Sequence, residues 1–168
     1  FLIHTSILKK ICPDICNTML GIDNAQQILE GLQNSNLFIT PLDNNFTWYR
    51  YHNLFAELLQ RYLKSKPKEN IQKLHLTAAD WFQRNGLVEE AIEHFIEAEN
   101  YDRVIQHINE IMDEILGQAK FGICLQWLNR IPDSYFLDNP IVLLHQVFFL
   151  YEMGEFEKCH QRIAFAED

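Results

Sequence analysis

The stretch that most constrains the fold runs from residue 46 to residue 63, FTWYRYHNLFAELLQRYL, where an aromatic segment passes directly into an amphipathic helix. The aromatic residues from Phe46 to Tyr51 favour a strand, because such side chains fit a pleated, half-buried surface. Beyond them, apolar residues at helical spacing predict a buried stripe of Leu54, Phe55, Leu58, Leu59 and Tyr62. His52 lies at the joint, where a side chain leaving a strand can reach a group outside the domain. We therefore predict a strand followed at once by a helix, with His52 as the candidate for chemistry. The alternative is that His52, at a strand end or helix N-terminus, makes only local hydrogen bonds.

Three short helices are predicted before this stretch. Proline is tolerated in a first turn, a glycine ends the second helix, and an aspartate is a good N-cap for the third. The predicted spans are Leu2 to Leu8 with Thr5 facing outward, Pro13 to Leu20 with Gly21 as the stop, and a helix capped by Asp23 that ends at Asn34-Ser35-Asn36.

A β-hairpin and a fourth helix complete this part of the chain. The β-prone runs 37–41 and 46–51 are separated by Leu42-Asp43-Asn44-Asn45, and Asp and Asn favour tight turns. A fourth helix is expected from Asn53 to Ser65. The order of three helices, hairpin and helix is that of a winged-helix domain, which we assign to residues 1–66.

From residue 67 to residue 168 the sequence predicts helices throughout. The segment Lys64-Ser65-Lys66-Pro67-Lys68 is polar and broken by proline, so we place a domain boundary there. The predicted helices are Glu69 to Asn85, Val88 to Glu99, Tyr101 to Gly117, Phe121 to Arg130, Pro140 to Met153, and Glu155 onward, with Gly86 and Gly154 as C-caps. The predicted fold class is mainly α, a winged helix followed by an antiparallel helical array.

An internal repeat is visible within these helices. Gly86 and Gly154 lie 68 residues apart, which is twice the 34-residue tetratricopeptide period. At the same offset, Trp81 corresponds to Phe149, Glu89 to Glu157, Ala91 to Cys159, and Ala98 to Ala166. The intermediate unit, about 109–132, shows the pattern poorly. We expect a tetratricopeptide-like array, while any helical hairpin places Ala and Gly at similar spacings.

Composition and charge narrow the functional classes. The 168 residues are 48% hydrophobic and 22% charged, which is ordinary for a globular protein, and the start lacks the layout of a signal peptide. No apolar run approaches the ~20 residues of a membrane span, so a cytoplasmic location without membrane contact is expected. The start at Phe1 and the stop inside a helical pattern suggest a piece of a longer protein. The four cysteines are expected to be buried thiols, and no metal site is predicted.

Four segments together resemble a known family. They are TSIL, LFITPLD, WYRYHNLFAELL, and HLTAADWFQRNGLVEEAIEHFIEAENYDRV. These resemble the middle of MalT-like regulators of the LuxR family, which are STAND signalling ATPases. In that family a P-loop ATPase module is followed by a winged helix, a helical arm and sensor repeats, often with a C-terminal DNA-binding helix-turn-helix. The resemblance covers essentially the whole chain and is looser after Gly117.

The resemblance implies a role for His52 but none in catalysis. In the family the winged-helix histidine contacts the β-phosphate of bound ADP and helps to hold the resting state, and Arg50 is a weaker alternative. A second histidine often follows in relatives, where this chain has Asn53. ATP and ADP would bind the parent protein, with no cofactor in this chain. The implied partners are the upstream nucleotide-binding domain, the downstream sensor repeats, a protein or small-molecule effector, and further copies of the activated parent.

Three functional classes compete on the sequence alone. Direct DNA binding is disfavoured, because the third helix has no Lys or Arg. Residues 1–66 hold six basic and five acidic residues, so the net charge of −9 falls on the helical part. An enzyme is disfavoured because no phosphate-binding loop or nucleophile motif is present, and the other histidines read as surface or hydrogen-bonded residues. A regulatory and interaction module fits best, with a stand-alone interaction scaffold as the alternative.

Overall fold

The computed structural model describes residues 1–45 and 47–167. Within it the chain forms two compact units, residues 1–98 and residues 99–168. The sequence-predicted boundary at residues 66 and 67 lies inside the first unit, and it stays a prediction. Among the described residues, no helix is both long and apolar enough to cross a bilayer.

The predicted fold class is confirmed, since the described chain is mainly helical with a two-stranded antiparallel hairpin. The elements in chain order are α1 (Leu2–Thr5), α2 (Pro13–Leu20), α3 (Ala25–Asn34), β1 (Ile39–Pro41), β2 (Tyr49–Tyr51), α4 (Asn53–Leu63), α5 (Lys68–Arg84), α6 (Val88–Glu97), α7 (Tyr101–Glu110), α8 (Met112–Gly117), α9 (Phe121–Leu128), α10 (Asp133–Asp138), α11 (Pro140–Glu152) and α12 (Phe156–Glu167). Phe46, predicted to lie in a strand, is outside the described residues.

The hairpin pairs in one register and has a third neighbour that the sequence did not reveal. Ile39 lies opposite Tyr51, and Pro41 lies opposite Tyr49. On the other side of β2, the Ile11 amide donates to the Tyr49 carbonyl at 2.8 Å, and the Tyr49 amide donates to the Ile11 carbonyl at 2.7 Å. β2 is therefore held from both sides, which fixes the backbone that leads into α4.

Two predictions about helix faces and ends in this unit are wrong. Thr5 was predicted to face outward, but it is fully buried and its Oγ1 lies 2.8 Å from the Tyr51 hydroxyl. The third helix was expected to begin after Asp23, yet Asn24 occupies the N-cap position, and the Asn17 side chain accepts from the Ala25 amide. The burial of Thr5 accompanies a hydrogen bond to a residue 46 positions away, which local sequence patterns do not report.

The buried stripe of α4 is also shifted from the predicted one. Leu59 and Leu63 are the buried positions, and α4 packs against α1. Three predicted core residues are instead exposed, Leu54 by 71%, Leu58 by 47% and Tyr62 by 57%. These three lie four residues apart and share one face of the helix. We call this face the α4 stripe.

The first unit continues into the helical hairpin of α5 and α6. α5 packs on α2, where the Trp81 indole Nε1 donates to Asp14 Oδ2 at 2.6 Å. The Trp81 ring also meets Trp48 edge to face at a centroid distance of 6.2 Å. Lys10 of the preceding segment forms an ion pair with Glu90 of α6 at 3.1 Å. This helical hairpin is therefore attached to the winged-helix elements by specific polar and aromatic contacts.

The second unit departs from the predicted helices in two places. The segment predicted as one helix from Tyr101 to Gly117 divides at Ile111 into α7 and α8. A short helix not predicted from the sequence, α10, precedes α11. The core of this unit is built from buried residues that include Val104, Ile108, Trp127, Phe136 and Phe149.

The predicted 68-residue correspondence is visible in the backbone. At the end of α5, Leu87 donates to Phe82 at 2.9 Å and Gly86 donates to Gln83 at 3.0 Å. At the end of α11 the matching bonds join Glu155 to Leu150 and Gly154 to Tyr151, each at 2.9 Å. Both glycines have a φ of 73°, the left-handed conformation of a helix C-terminus. The two glycine C-caps are confirmed.

The weak middle unit shows the same helix ending without glycine. At the end of α8, Lys120 donates to Ile115 at 3.0 Å and Ala119 donates to Leu116 at 3.4 Å. Ala119 has a φ of 52° and takes the position that glycine has in the other two units. The three endings are thus spaced by 33 and 35 residues, close to the tetratricopeptide period. Ala91 and Cys159 are buried as expected, whereas the side chain of Ala166 lies outside the described residues.

Candidate functional site

Arg50 and His52 lie on a backbone that is fixed by the residues around them. Tyr49 and Tyr51 are buried, and Arg50 between them is exposed, as the alternation of a strand requires. The Tyr51 hydroxyl is hydrogen-bonded to Thr5, and its ring meets Phe55 edge to face at 5.8 Å. Burial is the main cause that raises the pKa of Tyr51, so the phenol remains neutral and keeps this hydrogen bond.

His52 is the residue at which β2 ends and α4 begins. Its φ of −59° and ψ of 136° are non-helical, as expected at an N-cap. Its amide donates to the Phe38 carbonyl at 2.7 Å, and its carbonyl accepts from the Ala56 amide at 2.9 Å. The backbone of His52 is therefore secured at both ends, while its side chain is exposed.

The side chains of Arg50 and His52 have no hydrogen-bond or ion-pair partner among residues 1–45 and 47–167. His52 also does not cap α4 with its ring. The first amides of a helix lack partners within the helix and carry the positive end of its dipole. The arrangement therefore offers an imidazole beside the open N-terminus of an 11-residue helix, a geometry suited to an anionic group.

An apolar surface adjoins this joint. The α4 stripe begins at Leu54, two residues after His52, and continues along the helix. Phe38, which is 59% exposed, stacks on Phe55 at a ring distance of 5.2 Å. A polar ligand group at His52 would thus lie next to a surface suited to protein contact.

The other histidines were not predicted as site residues, and three of them are buried. His75 and His94 form a buried pair between α5 and α6, with their Nδ1 atoms 2.9 Å apart. Phe82 stacks on His94 at 5.3 Å. His107 is buried too, and its Nδ1 lies 2.6 Å from a Glu110 carboxylate oxygen. Sequence reasoning predicted surface or hydrogen-bonded histidines but missed the pairing, which depends on the packing of two helices.

The four cysteines are buried and reduced, as predicted. Burial is the main cause that raises the pKa of Cys12, and it raises the pKa of Cys16 to about 12. Such thiols are unreactive at neutral pH, because the thiolate is the nucleophile and the metal ligand. Within the part of the chain that the structure describes, no group of three or more His, Cys, Asp or Glu side chains is arranged to hold a metal ion.

The segment that contains the winged-helix elements also matches a family model in sequence. Residues 1–71 match the MalT winged helix domain. The resemblance stated from the residues is therefore confirmed, and the match to the family model covers the winged-helix part of the chain.

Curated relatives extend the similarity along the chain at low identity. The HTH-type transcriptional regulator MalT of Klebsiella pneumoniae is 25% identical over 167 residues, which cover 99% of this chain and 18% of that protein. MalT of Vibrio parahaemolyticus is 23% identical over 169 residues, covering 100% of this chain and 19% of that protein. The serine/threonine-protein kinase PknK of Mycobacterium tuberculosis is 27% identical over 134 residues, covering 80% of this chain and 12% of the kinase. The chain thus spans less than a fifth of the length of these relatives.

Proposed function

We propose that this chain is a non-catalytic regulatory and interaction module of a nucleotide-switched, STAND-type transcriptional activator. It transmits nucleotide or effector state between an upstream ATPase domain and downstream sensor repeats of the same cytoplasmic protein. The family match of residues 1–71 and the MalT relatives support this proposal. The module itself holds no cofactor and contacts neither nucleic acid nor a membrane.

The observation that carries the proposal is the exposed imidazole of His52 beside the uncapped N-terminus of α4. His52 donates a hydrogen bond to the β-phosphate of ADP held by the nucleotide domain, and the helix N-terminus adds its positive potential. Arg50 lies two residues away on the exposed face of β2 and supplies a weaker, longer-range cation. The α4 stripe then lies against the nucleotide domain in the resting state. Exchange of ADP for ATP removes the contact and frees the helical array, and the activated parent self-associates.

A different whole-protein activity is compatible with the same module. One relative is named as a serine/threonine-protein kinase, and this chain covers 12% of it. A winged helix with a helical array would act there as a regulatory segment outside the kinase domain. This alternative keeps the non-catalytic role of the chain and changes only the domain that it controls.

A second candidate function is a tetratricopeptide-like interaction scaffold without a nucleotide switch. The observation that favours it is the exposed apolar face of α11, where Ile141 is 67% and Leu144 is 65% exposed. Direct DNA binding by the winged helix is the least supported candidate. α3 has no Lys or Arg, and its exposed Glu30 accepts a hydrogen bond from Gln26 at 2.6 Å.

The test uses the full-length parent and the substitution His52→Ala. A hydrogen bond to a charged phosphate contributes about 1.5 to 3 kcal/mol, so ADP release should accelerate by about one to two powers of ten. Basal activity should rise as the resting state is weakened. The measurement is the dissociation rate of a fluorescent ADP analogue, and Asn53→Ala is the matched control on the adjacent residue.

The melting temperature of the 168-residue chain separates this role from a structural one. Because the His52 ring has no partner among the described residues, His52→Ala should leave that temperature nearly unchanged. An unaltered ADP off-rate combined with a destabilised chain would reassign His52 to the fold. An unaltered off-rate with an unaltered melting temperature would favour the scaffold function.

A further inference from the structure

A groove in the second unit lies between α9, α11 and α12 and has a volume of about 560 Å³. Its apolar lining includes Leu125, Leu150 and Met153. Two polar side chains, Gln146 of α11 and Arg162 of α12, line the same groove. A concave apolar site with a few convergent polar groups is the usual form of a small-ligand site.

Gln146 brings an unused acceptor to this groove. The residue is only 4% exposed, and its Nε2 donates to Asn129 Oδ1 at 2.7 Å, which fixes the orientation of the amide. Its Oε1 is buried and has no hydrogen-bond partner among the residues described. Because a buried oxygen without a donor is destabilising, the position calls for a ligand that supplies an N–H or O–H group.

Arg162 brings unused donors. Its Nη1 donates to Asp133 Oδ1 at 2.7 Å, and its guanidinium carbon lies 4.8 Å from the ring centroids of both Phe136 and Phe165. These contacts hold the guanidinium in place. Its Nε and Nη2 are buried and have no partner among residues 1–45 and 47–167. The two atoms share one edge of the planar guanidinium, and that edge matches the two oxygens of a carboxylate.

The internal repeat indicates that a helical hairpin such as α11–α12 does not need Gln146 and Arg162 in order to form. The positions 68 residues before Gln146 and Arg162 are occupied by Ala78 and His94, both buried in the α5–α6 hairpin. The same backbone arrangement is therefore built there without a glutamine or an arginine. The polar pair is specific to the second hairpin.

We propose that this groove binds a carboxylate that stands next to an N–H donor, as in a peptide C-terminus or an N-acylated amino acid. The free edge of Arg162 takes the carboxylate, Gln146 Oε1 accepts from the neighbouring N–H, and the leucine and methionine side chains cover the apolar side chain of the ligand. Asp133 already offsets part of the charge of Arg162, and Lys158 is paired with Glu155 at 3.1 Å. The site therefore suits a monoanion better than a phosphate. Gln146 Oε1 and the Nε–Nη2 edge of Arg162 are both shielded from bulk water. The ligand therefore reaches them through the groove, past the exposed side chains of Lys158 and Gln161.

The test begins with the wild-type chain and two matched probes. N-acetyl-L-leucine should bind saturably and shift amide NMR signals of α9, α11 and α12, and its methylamide should bind at least about tenfold more weakly. The acid without the amide, 4-methylpentanoate, should also bind more weakly, because it cannot donate to Gln146. Inorganic phosphate should compete poorly, and a peptide ending in a free leucine tests whether a longer chain is admitted.

Variants assign the two polar contacts. Arg162→Lys keeps the charge but lacks the paired edge, so affinity for N-acetyl-L-leucine should fall about tenfold or more. Gln146→Leu should abolish the preference for N-acetyl-L-leucine over 4-methylpentanoate. Gln126→Ala, at an exposed position of the same groove, is the control and should leave affinity unchanged.

Equal binding of the acid and its methylamide would overturn the proposal, as would unchanged affinity in a folded Arg162→Lys variant. The proposal would also be overturned if N-acetyl-L-leucine showed no saturable binding up to about 10 mM, or if it shifted amide NMR signals only in helices other than α9, α11 and α12. If Arg162→Lys fails to fold, the comparison of the two probes on the wild-type chain still decides. The outcome is independent of the ADP experiment on His52.

Discussion

The two helical hairpins α5–α6 and α11–α12 have the same backbone plan but present different surfaces. Both end their first helix at a glycine with a φ of 73°. Both bury a large aromatic side chain in that helix, Trp81 or Phe149, and a small residue in the second helix, Ala91 or Cys159. The outward positions differ. Where α5 has Lys73, Asp80 and Gln83, α11 has Ile141, Phe148 and Tyr151.

The comparison separates what a helical hairpin needs from what each copy is used for. Helix endings and close-approach positions are set by packing within the hairpin, so they repeat. The outer faces are set by their contacts, so they diverge. α5 uses its aromatic end to join the winged-helix elements through Asp14 and Trp48. α11 instead exposes an apolar face and contributes Gln146 to a groove.

The largest expected effect comes from removing the shared aromatic residue. Trp81→Ala and Phe149→Ala should each lower the free energy of unfolding of their own unit by about 3 to 5 kcal/mol, as for other buried aromatic truncations. Urea denaturation measures the change, and hydrogen exchange locates it in residues 1–98 or 99–168. If either substitution reduced hydrogen-exchange protection mainly in the other unit, the two units would not be independently stabilised by their own helical hairpins.

A conservative variant sharpens this prediction. Trp81→Phe keeps most of the ring but loses the hydrogen bond from Nε1 to Asp14, which is 2.6 Å long. Because the acceptor is a carboxylate, we expect a loss of about 1.5 to 3 kcal/mol on top of any packing change. Phe149 has no corresponding polar contact to lose. Phe149→Leu should therefore cost less than Trp81→Phe does.

The second expected effect is a pH dependence that is larger in the first helical hairpin than in the second. Burial, then His75 and Lys9, lower the pKa of His94 to about 3. The matching positions in the second hairpin hold Leu143 and Arg162. Between the paired histidines one Nδ1 must donate and the other must accept, so an additional proton is unfavourable.

The sign follows from the lowered pKa. A histidine has a pKa of about 6.5 in the unfolded chain, which therefore binds more protons than the folded chain below that pH. The contribution of neutral His94 to the free energy of unfolding is fully present well above pH 6.5. It falls as the pH decreases towards 3, by about 2 kcal/mol at pH 5. Urea denaturation between pH 7 and pH 4 measures it, and His94→Phe should remove most of the dependence of the first unit. His145 of α11 has a pKa lowered by burial as well, so the second unit should show a smaller dependence in the same direction.

Features set by neighbouring residues were predictable from the sequence, and features set by distant packing were not. Pro13 and Gly21 marked the ends of α2, and the Asp and Asn residues of the turn marked the hairpin. The buried face of α4 was predicted only in part, at Leu59, because α4 packs against α1, which is distant in sequence. The exposed joint at His52 was foreseen, whereas its uncapped helix N-terminus was not. The pairing of His75 with His94 and the meeting of Gln146 and Arg162 in one groove both depend on how helices pack.

Ala119 gives the reason that the middle unit was hard to recognise. Its φ of 52° places it in the left-handed region, which glycine enters freely and alanine enters at a cost. The backbone bonds at this helix end are those of the two glycine-ended helices, so the geometry persists without its usual residue. A search for glycine at this spacing cannot find it.

The smallest expected effect tests this interpretation through three single substitutions. Ala119→Gly should stabilise the second unit by about 1 kcal/mol, because it relieves a left-handed alanine. Gly86→Ala and Gly154→Ala should each destabilise their units by about 1 to 2 kcal/mol. Apart from the adjacent residues in the chain, no atom of the described residues lies within 4 Å of a Cβ added at either glycine, so this cost is conformational rather than steric. The three changes are measured by urea denaturation, with Gly31→Ala as a control at a helical position with ordinary φ, where alanine should stabilise α3. If Ala119→Gly were destabilising, the middle ending would not be equivalent to the other two, and the array would contain two related hairpins rather than three.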